Sequence, residues 1–122
     1  MNRKFLPILL IFLAACSKPV PPPTKPPILV VARQYEFSPS VIRLTVGEEA
    51  WIEVSSVDVQ HSFEVPGLDI EESVQPGRPA LIYLKPQTPG TYPVRCGIRC
   101  GRGHDQMTGT IIVEQAGSSA PK

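Results

Sequence analysis

The sequence predicts an all-β fold, an antiparallel Greek-key β-sandwich, and three observations carry that prediction. Short runs rich in Val, Ile, Thr and aromatic residues recur along the chain. Turn-forming pairs, Ser38-Pro39, Gly47-Glu48, Pro66-Gly67, Pro76-Gly77 and Pro89-Gly90, separate most of those runs. No window of ten or more residues keeps up a helical apolar stripe, and no internal repeat is present. In chain order the strands are expected at 28–32, 41–46, 50–54, 79–84, 90–95 and 109–113. The first is the apolar run that begins the folded part at Ile28. In the second, Ile42, Leu44 and Val46 alternate with Arg43 and Thr45, which suits a strand with one buried face. Trp51, Ile52, Glu53 and Val54 alternate similarly. A further strand pattern surrounds His61, in Val59-Gln-His61-Ser-Phe. Seven or so strands at this spacing suit a sandwich.

Composition narrows the function. The chain has 122 residues, 15 of them proline, with 42% apolar and 19% charged residues, enough for one small domain and too few for two. The net charge of +1 provides no basic field for a nucleic-acid backbone, so no nucleic-acid partner is expected. Arg3 and Lys4 precede an apolar run, Phe5 to Ala15, that closes on Leu13-Ala14-Ala15-Cys16. This has the layout of an export signal, residues 1–15, and is too short for a membrane-spanning helix. Leu-Ala-Ala-Cys resembles a bacterial lipobox, which implies acylation of Cys16 and a lipid anchor in a membrane of the cell envelope, with the domain facing the periplasm or exterior. Ser17 following that cysteine is compatible with outer-membrane sorting.

Six prolines fall within residues 19–27. Proline lacks the N–H and fixes φ, so residues 16–27 are expected to form a proline-rich, polyproline II tether behind the lipidated cysteine. At about 3.1 Å per residue the eleven residues after Cys16 reach about 34 Å. The folded domain is expected over 28–115, and 116–122 reads as a flexible tail.

Past Cys16 the soft metal-ligand types are few: Cys96, Cys100, His61, His104 and Met107. Four of the five lie in the twelve-residue segment Cys96-Gly-Ile-Arg-Cys100-Gly-Arg-Gly-His104-Asp-Gln-Met107. Thiolates, imidazoles and a thioether together suit copper, whereas zinc and iron–sulfur sites rarely use methionine. The residue types also allow a Cys96–Cys100 disulfide in an oxidising compartment, hydrogen-bonded structural histidines, and a core methionine.

These residues resemble the copper-binding, periplasmic domain of cytochrome c oxidase subunit II, which carries the dinuclear CuA centre on a cupredoxin fold. The likeness extends to Asp58-Val-Gln-His61-Ser-Phe-Glu-Val-Pro66, to Pro76-Gly77-Arg78 and to Pro89-Gly-Thr-Tyr-Pro93, and covers residues 28–115. It implies a cupredoxin-like Greek-key β-sandwich holding two copper ions. Cys96 and Cys100 would bridge both ions, His61 and His104 would each bind one, and Met107 would be a weak ligand. The backbone carbonyl midway between the cysteines, here that of Ile98, would complete the set. The ligand count agrees, because a mononuclear blue-copper site would strand one thiol. The implied role is a membrane-tethered one-electron relay, which needs no general base or substrate pocket, so no catalytic residue is assigned.

The sequence also departs from that family. Ile98 occupies a position commonly held by a glutamate that helps bind magnesium at the contact with the catalytic subunit, and the family's membrane-spanning helices have no counterpart. The aromatic stretch near the domain start is reduced to Tyr35-Glu-Phe37. A free-standing lipoprotein is therefore expected. The alternatives are an electron-entry subunit of a terminal oxidase or nitrogen-oxide reductase, and a copper-handling protein. Its partners would be redox proteins, a cytochrome or a terminal reductase or oxidase. Residues 28–115 carry seven basic and eleven acidic side chains, yet Arg95, Arg99 and Arg102 fall in the ligand loop. Exposed there, they would favour an acidic redox partner. Glu64, Asp69, Glu71 and Glu72 form a separate acidic stretch read as wet surface.

Overall fold

The computed structural model describes residues 19–117, so the export signal, Cys16 and residues 118–122 lie outside the described residues. Nine strands are present: β1 (Ile28–Arg33), β2 (Glu36–Ser38), β3 (Val41–Thr45), β4 (Ala50–Ser56), β5 (His61–Val65), β6 (Ile70–Val74), β7 (Ala80–Leu84), β8 (Gly90–Arg95) and β9 (Thr108–Glu114). They form a four-stranded sheet in the order β2-β1-β4-β7 and a five-stranded sheet in the order β3-β9-β8-β5-β6. The two sheets make the expected sandwich. Two single 3-10 turns, Pro66–Leu68 and His104–Gln106, are the helical content among the described residues. None is long and apolar enough to cross a membrane.

The alternation read in the sequence sets the core. Ile42 and Leu44 of β3 point inward while Val41 and Arg43 are exposed. Val30 and Ala32 of β1, Ile52 and Val54 of β4, Phe63 and Val65 of β5 and Ile111 and Val113 of β9 fill the space between the sheets. Phe37 of β2 meets Phe63 of β5 edge to face, with ring centroids 5.5 Å apart, so one aromatic pair joins the two sheets.

Two features depart from the sequence reading. The sheets are mixed, because β1 pairs with β4 and β3 with β9 in parallel. Period-two burial reports which face of a strand is covered and carries no information on its direction. The additional strands are β2 and β6, both at sheet edges. β2 has three residues, and β6 places Glu71, Glu72 and Ser73 in solvent, so neither shows the alternation that marks a half-buried strand.

This topology gathers one end of the sandwich around a single loop. β1 and β4 run side by side toward that end, where the Val57 N–H donates to the Ala32 carbonyl. β5 starts there at His61, β8 ends there at Arg95, and β9 leaves it at Thr108. The twelve residues from Cys96 to Met107 connect β8 to β9 across this end.

Candidate metal centre

The antiparallel β8–β9 pair closes the base of the loop. Arg95 pairs with Thr108, and the Cys96 N–H donates to the Met107 carbonyl at 3.2 Å. Met107 in turn donates its N–H to the His104 carbonyl, and His104 to that of Gly101. The loop backbone is thereby tied to itself at both ends and in the middle, which leaves its side chains little freedom.

Neighbouring strands hold the loop from outside. The Ser62 hydroxyl accepts the Gly97 N–H at 2.6 Å, and the Gln34 side-chain amide donates to the Cys100 carbonyl at 2.6 Å. A Cβ at Gly97 would sit 1.7 Å from the Glu64 carboxylate, so a side chain there would have to push Glu64 off Arg95, which it meets at 3.1 Å. Gly101 has φ +149° and lies under the Tyr35 hydroxyl, so conformation and space both call for glycine.

The soft side chains converge inside this frame. The Cys96 and Cys100 sulfurs are 3.7 Å apart, and Met107 Sδ is 3.8 Å from Cys100 Sγ. Cys96 Sγ lies 3.3 Å from the Ile98 carbonyl oxygen. One ring nitrogen of His61 and the two sulfurs all fall within 4.8 Å of one another. Cys96, Cys100, Met107 and His61 are buried, and the cysteines are free thiols. Burial, then the neighbouring Cys96 thiol, pushes the Cys100 thiol up to about 11. Without a metal the Cys100 thiol thus stays protonated, and a metal ion must displace that proton on binding.

His61 is oriented by a residue that the sequence reading did not assign. Asp58, in the β4–β5 connection, places Oδ1 2.7 Å from His61 Nε2. Burial alone would raise the Asp58 carboxyl, but hydrogen bonds from the Gln34 N–H, from His61 and from the Val59 N–H outweigh it and hold it at about 2. The carboxylate is therefore ionised and can only accept, which makes His61 Nε2 the donor. The other nitrogen, Nδ1, is buried without a hydrogen-bond partner, and so is Nδ1 of His104. Two orphaned imidazole nitrogens at one end of a small sandwich are costly unless something else occupies them. A carboxylate on the outer ring nitrogen is the usual support of a metal-ligating histidine.

His104 stands outside the mutually close group and lies nearer the surface, its side chain 23% exposed. It lines two open grooves, one with Arg99, Cys100 and Arg102, the other with Cys96 and Met107. All six residues singled out in the sequence, His61, Cys96, Ile98, Cys100, His104 and Met107, thus occupy one end of the fold. Of the three arginines, Arg95 ends β8 and pairs with Glu64 while staying exposed, and Arg99 and Arg102 are exposed on the loop.

Comparison with known proteins agrees with this architecture. A family model described as a cupredoxin-like domain matches residues 6–113. Cytochrome c oxidase subunit 2 of Thermus thermophilus is 33% identical over 93 residues, covering 76% of this chain and 69% of the relative. The alternative cytochrome c oxidase subunit 2 of Bradyrhizobium diazoefficiens is 34% identical over 73 residues, 60% of this chain and 26% of that relative. Among solved structures, a chain of a heme-copper terminal oxidase dimer superposes with TM-score 0.66 at 29% identity, covering 85% of this chain and 80% of that one. The periplasmic domain of subunit II of the Bradyrhizobium japonicum oxidase superposes with TM-score 0.69 at 18% identity, a likeness of fold, over 78% of this chain and 88% of that one. Likeness in sequence along most of the chain and likeness in three dimensions thus point the same way: this chain belongs to the cupredoxin-like family and is a homologue of cytochrome c oxidase subunit II.

Proposed function

We propose that this chain is a one-electron transfer protein whose β8–β9 loop and His61 hold a dinuclear CuA copper centre. The observation that carries the reading is the pair of buried imidazole nitrogens, His61 Nδ1 and His104 Nδ1, left without partners beside two free thiols 3.7 Å apart. The fold makes no hydrogen bond to either of these nitrogens. Cys96 and Cys100 would bridge the ions, His61 and His104 would cap them, and Met107 Sδ and the Ile98 carbonyl would be weak ligands. Copper in such a cage supplies one-electron redox chemistry. The protein's part is to keep the ligands fixed and dry. Gln34 and Ser62 pin the loop backbone, Asp58 orients His61, and burial excludes water from the sulfurs.

The reading extends to the rest of the chain. Residues 1–15 would be a lipoprotein signal peptide, and Cys16 a lipidated cysteine that anchors 16–27 to a membrane. The domain, 28–115, would face the periplasm or exterior, with 116–122 as a tail. The chain spans 69% of one Thermus relative and 26% of the Bradyrhizobium one, so the oxidase activity of those proteins does not transfer with the domain. A second reading, electron-entry subunit of a terminal oxidase, is favoured by the likeness to a chain of a terminal oxidase dimer.

The test is copper stoichiometry with electron paramagnetic resonance of the copper-loaded full chain. Two coppers per chain and a seven-line hyperfine pattern are expected, since one electron shared equally by two spin-3/2 nuclei gives seven lines. One copper with a four-line pattern would replace the CuA reading with a mononuclear site. A companion variant probes the outer support. Asp58→Asn should weaken copper retention in a chelator competition roughly 10- to 100-fold, because the amide no longer fixes the His61 tautomer. Retention equal to the parent's would show that Asp58 does not orient the ligand.

A further inference from the structure

We infer that residues 19–27 are a docked strap, and that docking turns the metal-bearing end of the sandwich away from the chain's N-terminal attachment. The starting observation is Trp51. Its neighbours Ala50, Ile52 and Val54 belong to the core between the sheets, so Trp51 lies on the outer face of β4. Glu53 and Ser55 on that face are half-exposed, yet Trp51 is only 2% exposed. Its ring packs on Tyr83 of β7, with centroids 5.3 Å apart, and its indole N–H donates to the Pro21 carbonyl at 3.0 Å. Lys25 and Pro26 line a cavity together with Trp51 and the β3–β4 turn. The strap therefore supplies part of the cover over an aromatic pair that the sheet alone would leave in water.

The strap's composition suits this use. Proline carbonyls are unencumbered acceptors, and a polyproline segment is already extended, so little conformational entropy is lost when it lies on an aromatic surface. The polarity of β1 then sets the orientation. β1 leaves the strap at Ile28 and runs to Arg33, beside β4 from Ile52 to Ser56, and next to its far end Gln34 holds the Cys100 carbonyl. Six residues at about 3.3 Å each place the metal end roughly 20 Å beyond the strap. Five residue steps lead from Cys16 to Pro21, a reach of at most about 18 Å, against about 34 Å for the free segment. Resting on the proposed function for the nature of the cargo, this arrangement presents the centre to a redox partner approaching from solvent.

The experiment uses the full chain and its single tryptophan. The parent is compared with a variant carrying Pro21→Gly, Pro22→Ser and Pro23→Gly, with far-UV circular dichroism to show that both are folded. The parent's Trp51 emission should be blue-shifted and resist acrylamide, and the variant's quenching constant should rise several-fold. Solvent-like emission in the parent, or equal quenching in the two, overturns docking. On phosphatidylcholine vesicles containing a dansyl-headgroup lipid, Trp51 of the parent should transfer energy to dansyl more efficiently than that of the variant. Equal transfer overturns the orientation. A parent that does not associate with vesicles overturns the orientation together with the lipid anchor, while quenching still decides docking. Neither readout requires copper, so loss of the CuA reading in the resonance experiment would be distinguished from loss of the strap.

Discussion

On the proposed dinuclear reading, Cys100→Ser is expected to leave at most one copper per chain and no seven-line resonance. Cys100 Sγ touches both other sulfurs of the site, Cys96 at 3.7 Å and Met107 at 3.8 Å, so it is the shared corner of the proposed ligand set. A serine hydroxyl keeps its proton at neutral pH and is a hard donor, so it cannot replace a bridging thiolate on copper. The fold should survive, because the substitution is nearly isosteric. Its cost is that of a hydroxyl in an apolar site, about 1–3 kcal/mol. The outcome is therefore read in two channels. Circular dichroism should stay native, while metal analysis and resonance change. Two coppers with seven lines in this variant would remove Cys100 from the centre.

The separation between those channels follows from how the site is encoded. The ligand types stand close together in sequence, four of them within twelve residues, so their clustering is visible without a structure. The parts that hold them are not local. Gln34 reaches Cys100 across 66 positions and Ser62 reaches Gly97 across 35, and a glutamine or a serine carries no mark of such a partner. Asp58 is the exception. It lies three residues before His61, and a carboxylate that near a candidate ligand is a legible signal of support.

The fold divides in the same way. Strands with one wet face, β3 above all, announce themselves by alternation, and β4 does so through Trp51-Ile-Glu-Val54. In β4, however, the outer-face Trp51 is buried as deeply as its inward neighbours, because a segment thirty residues away covers it. β6 hides for the opposite reason. At the edge of its sheet, with Glu71 and Glu72 in solvent, it reads as an acidic loop until β5 is seen pairing with it from His61 to Val65.

Phe63→Ala should be strongly destabilising, and it should show how the core and the centre share one strand. Phe63 is 1% exposed and is two residues from His61, so both side chains enter the sandwich from the same face of β5. Removing a buried phenyl ring costs about 3–5 kcal/mol, of which roughly 0.5–1.5 is the edge-to-face contact with Phe37. Domains of this size are stable by about 5–15 kcal/mol, so the metal-free variant should lose roughly 12–40 °C in its melting temperature. Copper binds the folded state, where His61, Cys96 and Cys100 are brought together, so loading should restore much of that loss. The proposed ligands are untouched, and the copper-loaded variant should keep the parent's hyperfine pattern. Thermal unfolding followed with and without copper checks both halves. A metal-free variant melting within a few degrees of the parent would show that the Phe37–Phe63 bridge does not join the sheets. An altered pattern in the loaded variant would show instead that β5 sets the position of His61 through its core face, not through Asp58.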